Sequence, residues 1–288
     1  MDLQLLRFFV TVAREGGFTP ASEVLHYAQS NLSTRIRQLE NELGQPLFYR
    51  HKKGVSLTAR GKLFYEYANQ ILKLSDDAIS AVRDMDHARG SLAIGSLEAT
   101  ALGDLPSLLS SYHQSYPEVH LSLKTDMNDV FQNLVLAREL DGAFVAEASA
   151  HHELSRKHFR DDRLILVGAA HQNDADIVSL LNNSPIVTFP DGSVFRRRFE
   201  LLLTALGIVY PDRLVVLNSL GAMLANIISG LGIGYLPFSI VRSYLEQGLM
   251  RQYLLEEEDP YSLLNIMFIY RRDHIMNAAF RSFLAEIQ

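Results

Sequence analysis

The side chains best placed for chemistry in this sequence fall in two groups between residues 26 and 65. Ser30, Thr34, Arg37 and Asn41 recur on one side of a segment whose other side carries Leu32, Ile36, Leu39 and Leu43. Ser33 lies on the flank, and Gln29, Asn31 and Arg35 complete the polar set. Short hydroxyl and amide side chains, with a guanidinium among them, can hydrogen-bond to base edges in a groove. Arg50 precedes a turn, His51-Lys52-Lys53-Gly54, and with Lys52 and Lys53 of that turn suits phosphates instead. Residues 26–65 hold seven basic residues against Glu40 and Glu42, a balance of +5 that is the footprint of a polyanionic partner. The same imbalance also fits a solvated surface.

Three helices and a hairpin must position these groups. Leu3, Leu6, Phe9, Val10 and Ala13 recur at helical spacing, predicting a helix over 3–14 that Gly16-Gly17 ends. Thr19 as N-cap and Pro20 as first helical residue start a short second helix, which stops near His26. A third runs from about Ser30 to Leu43, closed by Gly44, with its four apolar residues facing the core. Residues 47–50 and 55–58 are then two short strands, with Gly54 placed for a positive φ. A helix with one apolar and one polar face fits a major groove about 12 Å wide, held there by two others, while the hairpin reaches the backbone. This is a winged helix-turn-helix reading. A small helical subdomain with a polar exposed helix fits the same pattern.

The residues here resemble a known family. Leu5-Leu6-Arg7-Phe8-Phe9-Val10, Gly17-Phe18-Thr19, Ala21-Ser22, Gln29-Ser30-Asn31-Leu32-Ser33, Ile36-Arg37-Gln38-Leu39-Glu40, Leu43-Gly44, Leu47-Phe48 and Leu57-Thr58-Ala59-Arg60-Gly61 closely resemble the DNA-binding end of LysR-type transcriptional regulators. Two positions depart from the family pattern: Ser30 stands where proline is usual, and Thr34 where arginine is frequent. Both lie on the polar face of the third helix, so the base preference of a relative does not transfer. The resemblance implies double-stranded DNA as partner, read as an interrupted inverted repeat near a promoter, and contact with RNA polymerase.

A long helix follows. Leu57, Phe64, Ile71, Ala78 and Met85 are seven apart, and Tyr67, Leu74, Ala81 and Ala88 form a second series three residues on. This is an a/d seam. A dimer fits it because helix-turn-helix proteins read two half-sites; a helix packed on its own domain is the alternative. The resemblance implies a homodimer through this helix, and often a homotetramer.

Residues 91–288 alternate strand and helix. Strands are expected at 91–95, 120–124, 143–145, 164–167, 185–189, 214–217, 233–236 and 263–270, with helices over 102–116, 130–140 and 276–287 and others between the later strands. That order implies a mainly parallel sheet in two lobes, the last strand and helix returning to the first lobe. Leu140-Asp141-Gly142-Ala143 and Gly230-Leu231-Gly232-Ile233-Gly234-Tyr235-Leu236-Pro237 resemble landmarks of the LysR effector domain, which has the fold of periplasmic type-2 binding proteins. The resemblance implies a small metabolite bound between the lobes. Ligands of such sheets sit beyond the carboxyl ends of strands. That rule selects Ser96, Thr100, Asn128, Arg196 and Asn218 as candidate effector contacts. Helix N-termini favour an anion, which Arg196 would pair bidentately. Each of these residues also has a plain structural reading, as a helix cap or a solvated arginine.

The expectation is therefore an α+β two-part chain: a winged helix-turn-helix over 1–58, a linker and dimerisation helix over 59–89, and an α/β effector domain over 90–288. Its first lobe spans about 90–161 and 268–288, its second 162–267. The length of 288 residues suits about two domains. The net charge of −6 conceals an uneven distribution, with 12 basic and 10 acidic residues over 1–89 against 15 and 23 in the remainder. No cysteine is present, which excludes disulfides, thiolate metal sites and thiol-based sensing; within the family the chain resembles, this implies a bound small molecule as the expected trigger. The first residues lack the pattern of a signal peptide, and glycine, serine and proline interrupt the apolar stretch 227–241. The expectation is a cytoplasmic protein with no membrane partner.

Other signals lead nowhere. Gly230, Gly232 and Gly234 precede a strand, the reverse of a dinucleotide fingerprint, and mark a tight helix-to-strand turn. His151 and His152 are expected to point apart, without the spacing of metal ligands. Glu256-Glu257-Glu258-Asp259 reads as an acidic surface turn. No cofactor and no catalytic triad is legible. A non-catalytic DNA-binding regulator is one reading; an α/β binding protein or enzyme with a helical appendage is the other.

Overall fold

The computed structural model describes the chain except residues 52–53, 84–87, 149, 172–175, 209–212, 256–258, 276 and 288, and except the side chains of Asp77, Ser80 and residues 81–83. Lys52, Lys53 and Met85 thus lie outside the described residues, as does most of the acidic run at 256–259. The chain divides into two compact units, Met1–His87 and, in the main, Ala88–Leu136 with Leu140–Gln288.

In the first unit, α1 (Leu3–Glu15) is capped by Asp2, whose carboxylate accepts from Leu5 N at 2.7 Å, and ends at the left-handed Gly16. The next helix, α2 (Phe18–Leu25), starts two residues earlier than its Thr-Pro signal suggests. Gly17 is the N-cap, so Thr19 and Pro20 are its second and third residues. The first-turn N–H groups of a helix have no intrahelical partner, so proline is tolerated throughout that turn. The third helix, α3 (Gln29–Leu43), buries Leu32, Ile36 and Leu39 completely and closes at Gly44. Leu43, expected in the core, is 38% exposed, because the last residue of the helix extends past the elements it packs on.

Strands β1 (Phe48–His51) and β2 (Gly54–Leu57) pair antiparallel, with His51 opposite Gly54. Gly54 has φ +141° and donates no side chain to a crowded place: a Cβ there would lie 2.3 Å from Gly16 O. Beside it, Val55 N donates to Gly16 O at 2.8 Å, which ties the hairpin to the end of α1. Glu40 ties it to α3, accepting from Leu47 N at 2.8 Å and Phe48 N at 3.2 Å.

The long helix is α4 (Ala59–Arg83), capped by Thr58, whose hydroxyl oxygen accepts from Gly61 N at 2.8 Å. Leu57 belongs to β2 and Ala88 is not helical, so the heptad seam is shorter than its sequence spacing indicates. Phe64 also leaves the seam: it packs against Phe9, ring centroids 5.1 Å apart, within the core of its own unit. The face of α4 turned away from that core carries exposed Leu63, Tyr67, Ile71 and Leu74. Their spacing forms one apolar stripe.

The second unit is built on a nine-stranded sheet. In its first lobe β3 (Gly90–Ser96) runs parallel to β4 (Val119–Thr125) and β5 (Gly142–Ala146). Their crossovers are α5 (Glu98–Leu102), α6 (Leu105–Ser115) and α7 (Asn128–Leu136). The expected single helix over 102–116 is broken at Gly103-Asp104, and α7 ends four residues before Leu140. In the second lobe β7 (Ile186–Thr188) runs parallel to β8 (Leu214–Val216) and β9 (Ile233–Pro237). Around them lie α8 (Ile177–Asn183), α9 (Val194–Ala205), α10 (Leu220–Ile228) and α11 (Phe238–Glu246), with β10 (Met250–Tyr253) at the side of β6 (Leu154–Ala169).

Two antiparallel strands join the lobes: β6 (Leu154–Ala169) and β11 (Leu263–Arg271). β6 pairs β11 along its first part and β9 along its last, so the sheet is continuous but not mainly parallel at its centre. Strand β11 and α12 (Ala278–Glu286) return to the first lobe. Phe268 and Phe283 meet Phe144 there, centroids 4.8 and 6.3 Å away, and Tyr112 OH donates to Ala279 O at 2.7 Å. The Leu140-Asp141 landmark has a structural role. Asp141, 2% exposed, accepts from Ala93 N at 2.8 Å and faces His274 Nε2 at 2.9 Å.

Candidate nucleic-acid interface and ligand cavity

Since Leu32, Ile36 and Leu39 are fully buried, the opposite face of α3 is presented outward. Gln29, Ser30, Asn31, Thr34, Arg35 and Arg37 are exposed, and Ser33 is half-buried at the edge. Thr34 donates its hydroxyl to Ser30 O at 2.9 Å, leaving its oxygen able to accept. Arg50 extends from β1 over the Phe18 ring, 5.0 Å from the centroid, and reaches Ser33 Oγ at 3.5 Å. Hairpin and recognition face therefore adjoin. Two exposed aromatics escaped the sequence reading, Tyr27 before α3 and Tyr49 on β1. Tyr27 lies in a loop and Tyr49 alternates outward on a strand, so neither carries a helical signal.

In the second unit a cavity of about 350 Å³ opens between the lobes at the carboxyl ends of β3, β4 and β7. Its apolar wall includes Leu97, Met127, Phe189, Val194 and Phe195, and its polar groups include Glu98, Asp126, Asn128, Ser193 and Asn218. The volume suits a small metabolite.

The five candidate effector residues separate here. Asn128 and Asn218 line the cavity. The Asn128 amide is also committed to the fold, donating to Ala146 O and accepting from Ala146 N at 3.1 Å. Ser96 does not line it: it is fully buried, its hydroxyl donating to Leu97 O at 3.0 Å. Thr100 is buried in α5, directly after the wall residue Ala99, and is likewise outside the lining. Arg196 is no free anion clamp. Its side chain is 13% exposed, its guanidinium is paired with Asp191 at 2.8 Å and Glu200 at 2.9 Å, and the residue is absent from the lining. Arg197 and Arg198 both pair with Glu147, Arg197 exposed and Arg198 half-buried.

Glu98 and Asp126 are the residues that sequence reasoning missed. Both follow a strand of the first lobe, as the rule that selected Ser96 and Asn128 requires, but the search there was for groups that hold anions. His151 and His152 also differ from expectation, their rings stacking with centroids 4.8 Å apart. Among the described residues, no three acidic or histidine side chains gather as metal ligands, and no helix is long and apolar enough to cross a membrane.

Two family models cover almost the whole chain. Residues 3–62 match the bacterial regulatory helix-turn-helix protein of the lysR family, and residues 85–288 match the LysR substrate binding domain. The HTH-type transcriptional regulator GltR of Bacillus subtilis is 35% identical over 288 residues, 100% of this chain and 96% of that protein. Among solved structures, a full-length OxyR variant from Pseudomonas aeruginosa superposes with a TM-score of 0.76 at 24% identity, covering 100% of this chain and 94% of that one. Full-length CbnR complexed with its target DNA gives 0.73 at 23%, covering 100% and 99%. The last two establish the fold. With the family models and GltR they lead to one assignment: the chain belongs to the LysR family of helix-turn-helix transcriptional regulators.

Proposed function

We propose that α3 lies in the major groove of an interrupted inverted repeat near a promoter. Gln29, Ser30, Asn31, Ser33, Thr34, Arg35 and Arg37 offer polar groups to the bases and adjacent backbone, and Arg50, with Lys52 and Lys53 of the hairpin turn, contacts phosphates. The observation that carries this reading is the division of α3 into a fully buried apolar face and an exposed polar one. The exposed stripe of α4 joins two copies, so that each dimer reads two half-sites, and two dimers form the working tetramer. Domain limits near residues 58 and 89 follow, with lobes changing within β6 and β11.

The cavity holds a small-molecule effector, with Asn128 and Asn218 in its wall. Effector binding shifts the balance between two assemblies by preferring one of them, and the change is read by RNA polymerase at the promoter. The protein performs no catalysis and works in the cytoplasm. Sequencing of DNA cross-linked to the protein and pulled down with it tests this directly. Enrichment of an interrupted inverted repeat upstream of a few genes is the expected result; recovery of DNA without a shared sequence contradicts it.

A further inference from the structure

The charge of the cavity is opposite to that of an anion site. Among the described residues that line it, none is lysine, arginine or histidine, whereas Glu98 and Asp126 each bring a carboxylate. The nearest guanidinium in sequence, Arg196, is held by Asp191 and Glu200. Helix ends offset this only in part. The start of α10 is already answered by Glu98, whose Oε2 accepts from Leu220 N at 3.1 Å. Asp126 and Asp129 flank the start of α7, and Asp126 accepts from Met127 N at 2.9 Å. The start of α9 has no side-chain cap, but a helix end is worth about half a charge. The balance therefore stays negative, beside an apolar wall of Phe189, Phe195, Val194 and Met127.

We propose that this cavity takes a ligand with a protonated amine on an apolar body, and that Glu98 pairs with the ammonium through the carboxylate oxygen that Leu220 does not use. The inference rests on the reading of the cavity as the effector site and reverses the expectation of an anionic effector. Since Glu98 stands on α5 of the first lobe and Leu220 opens α10 of the second, the residue that recognises the amine is also one that bridges the lobes. A ligand carboxylate, by contrast, would enter beside two of its own sign. An amine and a zwitterionic amino acid share the ammonium, and differ in whether the uncapped start of α9 accepts a carboxylate.

Calorimetric titration of the full-length protein with three probes that share a phenylethyl body decides this: 2-phenylethylamine, phenylalanine and 3-phenylpropanoate. The amine, alone or together with the amino acid, is expected to bind, and 3-phenylpropanoate is not. Glu98→Gln keeps the side-chain size and an acceptor for Leu220 N, and is expected to weaken amine binding about tenfold or more. Binding of the amino acid as tightly as the amine assigns the start of α9 to its carboxylate. Preferential binding of 3-phenylpropanoate, failure of both ammonium probes at millimolar concentration, or unchanged amine affinity in Glu98→Gln overturns the proposal. Asn218→Trp, at an exposed wall position, separates the two levels of the argument. If it abolishes binding of 3-phenylpropanoate, the cavity reading stands and only the charge class falls; if it leaves amine binding intact, the cavity is not the site.

Discussion

Glu98 and Leu220 are 122 residues apart in sequence, yet the Glu98 carboxylate accepts a hydrogen bond from Leu220 N at 3.1 Å. One side chain of the first lobe thereby caps a helix of the second. Hydrogen bonds to charged groups contribute more than neutral ones. Glu98→Ala is expected to cost the C-terminal unit about 1–2 kcal/mol, lowering its midpoint by a few degrees in a thermal scan. Glu98→Gln, which retains an acceptor, is expected to recover most of that loss.

The hairpin depends on a backbone approach that only glycine permits. A Cβ on Gly54 would lie 2.3 Å from Gly16 O, at a φ of +141°. Gly54→Ala is expected to part the hairpin from α1 and break the bond from Val55 N to Gly16 O. A cost of about 2 kcal/mol or more follows from the clash and the strained φ together. Urea denaturation monitored by tyrosine fluorescence measures it, with weaker DNA binding as the functional counterpart.

The apolar stripe of α4 gives a test of assembly. Leu63, Tyr67, Ile71 and Leu74 are exposed in the single chain. Placing charges there, as in Tyr67→Asp with Leu74→Asp, is expected to shift the protein toward monomers in analytical ultracentrifugation. The fold of each unit should persist, because neither residue contributes to its core. DNA affinity should fall with the loss of the second half-site.

Alkaline pH addresses Tyr235. Burial, reinforced by its hydrogen bond to Asp259 and by that carboxylate's charge, pushes the phenol well above its ordinary value of 10.0. The folded state therefore holds this proton more tightly than the unfolded one. The stability so contributed is complete below pH 10.0 and is lost as pH rises beyond it. Tyr235→Phe should flatten the decline of the melting temperature above that pH; an unchanged decline would remove Tyr235 as its source.

Much of the first unit was legible because α1 and α3 each hold one apolar stripe at helical spacing, and glycines mark their ends. What escaped was decided by partners distant in sequence. The first part of β6, from Leu154 to Arg163, is rich in charged residues and pairs only with β11, a hundred residues on. Phe64 keeps the heptad spacing but is claimed by Phe9. Arg196 was chosen for its place after β7, although Glu200, one helical turn later, already indicated a pair. The cavity was placed correctly by the rule for strand ends, while its charge depended on Glu98 and Asp126, which that search passed over.

Competition gel shift on the DNA upstream of the protein's own gene, carried out across a salt series, tests the central claim most directly. The account predicts a complex that survives excess unrelated DNA at physiological salt, with an affinity that falls as salt rises. Arg50→Ala should weaken binding on all sequences and reduce the salt slope by about one, whereas Thr34→Ala should change which bases are preferred. Equal binding of the upstream fragment and the competitor, with Thr34→Ala indistinguishable from the unaltered protein, would contradict the account.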